Sequence, residues 1–215
     1  MAKFRSIIFF SGRAGNIVGS KGQNGEYIVK QYQPTVLNPN TQGQQEQRKK
    51  LSVIIKALAP IASWAKKVIK GNGRTAWQEL IRLNLNEAVT GTFPNYEVGY
   101  NLLTVAKGQL ALPNSPAGAV DNNILTVSWT DNSGIGNAYS DDSAAILVIN
   151  PAKRQAIYDL EAAKRPDRTA TLSIPNAWNG DSVEAYLVMR GGETATKEWG
   201  SRATSDSLYL GTFTV

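Results

Sequence analysis

The sequence contains neither cysteine nor histidine. Those two absences together remove disulfides, thiolate nucleophiles, Cys/His zinc sites, imidazole bases and Ser-His-Asp triads. Long apolar runs are missing too, since no stretch reaches the roughly 18–20 residues of a membrane span. Acidic residues are scarce in the first half. Residues 1–110 hold 15 Lys and Arg against 5 Asp and Glu, a net of +10; residues 111–215 hold 8 against 12, a net of −4. Phosphate-binding strings are absent: neither G-x-x-x-x-G-K-[ST] nor G-x-G-x-x-G occurs. What remains is apolar material, 42% of 215 residues with five Trp, enough for a folded core.

The start holds Lys3 and Arg5 before Ile7-Ile8-Phe9-Phe10. Four apolar residues fall short of the roughly 7–15 of a secretory h-region, so no signal peptide is expected. The location expected is the cytoplasm, or a virion assembled there.

Residues 4–37 read as strands joined by glycine turns. Ile7–Phe10 and Tyr27–Tyr32 are β-rich, and Gly12, Gly15, Gly19, Gly22 and Gly25 punctuate the stretch between them. Thr41 with Gln44 forms a capping box that opens a helix. Leu51, Ile54, Ile55 and Leu58 then repeat at helical spacing. Pro60 ends or kinks that helix. Ile61, Trp64, Ala65, Val68 and Ile69 mark a second helix, stopped by Gly71-Asn72-Gly73. Trp77, Leu80 and Ile81 mark a third, from about Arg74. Trp64 and Trp77 sit at core spacing rather than at positions for stacking on bases.

Residues 92–112 read as a connector containing one strand, with Leu112–Gly118 as a linker and a domain boundary near Ala111. Beyond it, Ile124–Trp129, Ala144–Asn150, Arg168–Ile174, Val183–Met189 and Leu208–Val215 are short strands separated by turn signals. The fold class expected is α+β. Glycine-rich strands and two or three amphipathic helices form a basic docking domain at 1–110, and an immunoglobulin-like β-sandwich forms 111–215.

Two resemblances accompany these patterns. L-T-V-S-W (Leu125–Trp129) and S-V-E-A-Y-L-V-M (Ser182–Met189) resemble strands B and F of fibronectin type III and immunoglobulin-like domains. That likeness implies a core role for Trp129 and Tyr186. Residues 152–165 depart from it, because Ala156, Ile157, Leu160 and Ala163 suit a short helix. G-x-x-G-x-x-x-G-S (Gly12, Gly15, Gly19, Ser20) with N-P-x-T-x-x-Q-x-x-x-R (Asn38, Pro39, Thr41, Gln44, Arg48) is similar to an uncharacterised family of Bacteroidota and their phages. The second motif, with R-x-A-W (Arg74, Ala76, Trp77), also resembles small phage structural proteins.

Function is expected in the helices. Residues 48–82 carry nine Lys and Arg against Glu79 alone. Like charges repel at spacings of three and four residues, so Arg48, Lys49, Lys50, Lys56, Lys66, Lys67 and Lys70 are the residues expected to meet an anionic partner. Protein partners in a larger assembly, self or capsid, and nucleic acid are both open. A solvated helix face is the plain alternative. Asp131, Asp141 and Asp142 read as solvated loop residues without EF-hand spacing. No catalytic, cofactor or metal residue is assigned, and no membrane or small-molecule partner is expected. The expectation is a non-enzymatic structural or interaction protein, a minor capsid, decoration or connector component of a phage. The alternative is a bacterial binding module using sandwich loops such as 131–143 or 175–181 for a glycan or protein ligand.

Overall fold

A computed structural model describes residues 10–22, 24–35, 39–70, 73–199 and 203–215. The chain divides into two compact units, 1–41 and 42–215. The expected strand at Ile7–Phe10 therefore lies outside the described residues except for Phe10, as does Asn38 of the second motif.

The first unit is one antiparallel sheet in the order β1 (Gly12–Ala14), β2 (Ile17–Lys21), β3 (Tyr27–Gln31). Gly15 (φ +60°) and Gly25 (φ +78°) make its turns, where side-chain residues would be strained. Ala14 pairs with Ile17 and Gly19 with Val29, so these apolar side chains share a face. Phe10 lies against Gly19, where a Cβ would overlap its carbonyl oxygen. Gly19 is the one buried residue among those described in this unit.

The second unit opens with helix α1 (Gln42–Leu58). Pro60 ends it, as its missing N–H requires, in a single 3-10 turn at Ala59–Ile61. Helix α2 (Ala62–Val68) and helix α3 (Ala76–Asn84) follow. A capping box between Thr75 and Gln78 starts α3. A hairpin of β4 (Val89–Thr92) and β5 (Asn95–Val98) comes next.

Seven further strands form the sandwich: β6 (Asn114–Asp121), β7 (Ile124–Thr130), β8 (Ser143–Asn150), β9 (Gln155–Lys164), β10 (Thr169–Ser173), β11 (Ser182–Arg190) and β12 (Leu208–Thr214). Two antiparallel sheets, β10-β7-β6 and β12-β11-β8-β9, enclose Leu125, Val127, Trp129, Ile146, Val148, Val183, Ala185 and Leu187. This is the expected α+β fold with an immunoglobulin-like sandwich. Trp129 is buried at its centre, as the strand B likeness implied.

Strands β8 and β11 are buried on both faces. Their second face presents Ala145, Leu147, Ile149, Tyr186 and Val188 to Ile54, Leu58, Ile61, Trp64, Val68 and Leu80 of the helical region. A continuous apolar run is the sequence signature of such a strand. This shared core also explains why the contacts divide the chain between Thr41 and Gln42 and not near Ala111, where a boundary was expected.

Two local expectations are corrected, and one element is new. The Leu112–Gly118 linker is largely strand β6, whose bulge between Asn114 and Ala117 takes up Pro116. The helix expected over 156–163 is strand β9: Tyr158 and Leu160 pack against the helical core while Ile157 and Ala163 pack against the sandwich core. Apolar residues on both faces hide the two-residue period. Helix α4 (Glu193–Trp199) had no counterpart in the sequence reading.

Candidate anionic-partner interface

The seven cationic residues singled out above lie on α1, on α2 and just past it. Arg48, Lys49, Lys56, Lys66, Lys67 and Lys70 are exposed and Lys50 is half-buried. The cause is amphipathicity. Ile54 and Leu58, then Trp64, Ala65 and Val68, take the sheet-facing side and leave the charges to the other. Leu51, expected in the buried stripe, is 39% exposed.

The charges are not equivalent. Lys50 lies 5.2 Å from the centre of the Tyr96 ring on β5, a cation–π distance. Glu79 is buried and holds two arginines, Arg82 at 2.6 Å and Arg74 at 3.8 Å. The hydrogen bond from Arg82 outweighs burial and keeps the Glu79 carboxyl below its ordinary value. Among the described residues, no carboxylate pairs with Lys49, Lys56, Lys66, Lys67 or Lys70.

The acidic residues considered from sequence have other duties. Asp131 accepts from the Ser133 backbone and hydroxyl at 2.9 and 2.6 Å, which lowers its pKa. Asp141 accepts from the Thr194 backbone N–H at 2.9 Å, the main cause of its lowered pKa. Asp142 is fully buried, against the expectation of a solvated loop. No group of three or more acidic side chains suited to a metal ion occurs among the described residues.

Asp142 belongs to a centre that sequence reasoning missed. Arg165, also fully buried, donates to Asp142 Oδ2 at 2.7 Å, Asn132 Oδ1 at 2.8 Å, the Ala111 carbonyl at 2.9 Å and the Tyr139 carbonyl at 3.2 Å. Its own carbonyl accepts from the Trp129 indole at 2.8 Å. Nothing in the string K-R-P-D distinguishes this arginine from an exposed one.

Residues 9–211 match the family of unknown function DUF6266, and the chain belongs to that family. Comparison with curated proteins finds no match.

Proposed function

We propose that this chain is a non-enzymatic interaction protein that docks on an anionic partner through the lysines of α1 and α2, within a larger assembly. The observation that carries this reading is the set of exposed lysines, Lys49, Lys56, Lys66, Lys67 and Lys70, that no carboxylate neutralises among the described residues. Such a field is costly to keep without a partner and draws anions to it. A phage particle is the proposed setting, resting on the likeness of N-P-x-T-x-x-Q-x-x-x-R to small phage structural proteins.

The test is retention of the full-length chain on immobilised heparin. Lys66→Glu/Lys67→Glu is compared with the charge-matched Lys21→Glu/Lys30→Glu, whose lysines are exposed in the first unit. The helix variant should elute at much lower salt than the control. Equal shifts would mean that net charge alone acts, and the docking face would be rejected.

A second reading, the sandwich-loop binding module, has one observation in its favour. Ile135 is 67% exposed, between Gly134 and Gly136 at φ +83° and +59°. The loop around it is held by backbone bonds Gly134 N–H to Ala138 and Ile135 N–H to Asn132. It presents an apolar side chain on a fixed support. An Ile135→Asp variant that keeps every binding activity of the wild type would dismiss this reading.

A further inference from the structure

The solvent side of the helical layer has an order that net charge does not require. Positions 49, 52, 56, 59, 63, 66 and 70 are all exposed and recur at intervals of three and four residues. They read Lys49, Ser52, Lys56, Ala59, Ser63, Lys66, Lys70, with Lys67 beside the last two. On either side of the turn at Pro60, Leu58 and Ala62 keep right-handed helical angles, and Ile61 between them departs from these. Leu58 has φ −84° and ψ −16°, Ile61 −100° and 12°, and Ala62 −59° and −35°. The exposed positions 49–66 thus span α1, the turn and α2, about 25 Å at about 1.5 Å per residue, and Lys70 follows past the end of α2, where Ile69 is extended.

We propose that this row receives the phosphate backbone of duplex nucleic acid, an inference that rests on the docking reading above and names its partner. The first argument is the kind of cation. The arginines Arg74 and Arg82 are held by Glu79, and the charged members of the row are all lysines. An arginine fork matches a carboxylate in fixed geometry, whereas a lysine ammonium acts as a point charge. Point charges suit a polyanion that carries a charge about every 1.7 Å of its axis, because register is then unimportant.

The second argument is what separates the lysines. Ser52, Ala59 and Ser63 are small, so no bulky side chain holds a broad polyanion off the helix. The two hydroxyls can donate to phosphate oxygens. The third is the placement of the helical tryptophan. Trp64 is buried and its indole N–H donates to the Val105 carbonyl at 2.9 Å. It offers no platform for an unpaired base, and stacking is what single-strand binders use. The row has the parts for contacting a duplex backbone and lacks this part for holding single strands.

The experiment is fluorescence anisotropy of the full-length protein with a labelled DNA duplex and with its single strand, across a salt series. Five lysine contacts give an expected log–log slope of about −4.5 on the duplex. Lys49→Gln/Lys56→Gln should reduce the slope by about 1.8. Ser63→Leu should weaken binding without changing charge. All variants should keep the wild-type thermal midpoint, since the substituted residues are exposed. Absence of duplex binding at low salt, an unchanged slope in the double variant, or equally tight binding of the single strand would overturn the inference. Poly-glutamate run in parallel separates the two readings. Row-dependent binding to it without duplex binding leaves the docking surface standing and rejects its nucleic-acid partner; no row-dependent binding to either polyanion rejects both.

Discussion

Arg165 and Asp142 meet at 2.7 Å with neither side chain exposed to solvent. The pair ties the loop before β8 to the turn after β9, and through Asn132 and the Ala111 carbonyl it also holds the entry to β6 and the end of β7. Removing one partner leaves the other charge buried. Arg165→Met should therefore destabilise the fold by about 3–5 kcal/mol. Replacing both members, as Arg165→Met/Asp142→Leu, should recover part of the loss. Urea denaturation of the three proteins tests this, and a double variant no better than Arg165→Met would show that the arginine's other hydrogen bonds dominate.

Trp129 supplies the second prediction. It is packed in the sandwich core, and its indole caps the Arg165 carbonyl. Trp129→Ala should cost about 3–5 kcal/mol. Trp129→Phe should cost less, because it loses the hydrogen bond and only part of the volume. Equal thermal midpoints for wild type and Trp129→Ala would remove Trp129 from the centre of the core.

Gly108 supplies a third. A Cβ there would come within 1.8 Å of the carbonyl oxygen of Thr204, and the Gly108 N–H donates to Asp206 Oδ1 at 3.1 Å. Because the obstacle is backbone, Gly108→Ala must push two segments apart, at a cost of about 1–3 kcal/mol. A chemical melt of the purified variant reads this directly.

Acid sensitivity follows from Glu79. Its folded-state pKa is lowered from the ordinary 4.5, chiefly by the hydrogen bond from Arg82. Below that ordinary value the unfolded chain binds more protons than the folded one. The stabilisation is thus complete above about pH 4.5 and is lost as pH falls through the depressed value. Urea melts at pH 7 and pH 3 should show a smaller difference for Glu79→Gln than for wild type. An identical difference would mean that the Arg82 contact does not form in solution.

The two units should part under protease. In the first, Gly19 is the one buried residue among those described, and Arg13, Lys21 and Lys30 are exposed. A three-stranded sheet that buries so little among its described residues is marginal. Brief trypsin treatment of the isolated chain should cut at these residues first and leave a resistant fragment beginning near Gln42. Mass spectrometry identifies the cuts, and early cleavage within β8 or β11 would contradict the core as described.

The features legible in the sequence are those set by local pattern. The break at Pro60, the helical spacing of Ile54 and Leu58, the strand runs at Ile124–Trp129 and Val183–Met189, and the exposure of Lys49, Lys56, Lys66, Lys67 and Lys70 all appear where expected. What was hidden depends on tertiary context. Strand β9 faces two cores, so its apolar residues lose their alternation and mimic a helix. Strand β6 contains Pro116 and reads as a linker, because a bulge that tolerates proline is invisible without its partner strand. The burial of Arg165 and Asp142 is fixed by segments 23 residues apart, and no local signal marks either. The order of the lysine row emerges only when the exposed positions on both sides of Pro60 are known.

The two-sided burial of β8 and β11 has a consequence for how this chain can be cut or recombined. The sandwich looks portable in sequence, a hundred residues with their own turns and strands. Yet a chain starting at 111 would turn Leu147, Ile149, Tyr186 and Val188 outward as a sticky apolar wall, and the Tyr186 hydroxyl would lose the Tyr100 carbonyl that it meets at 2.6 Å. The helices are the lining of that wall. Whatever binds them presses on the same sheet that closes the sandwich, so the half of the chain that looks like a free-standing domain depends on the helices that cover it.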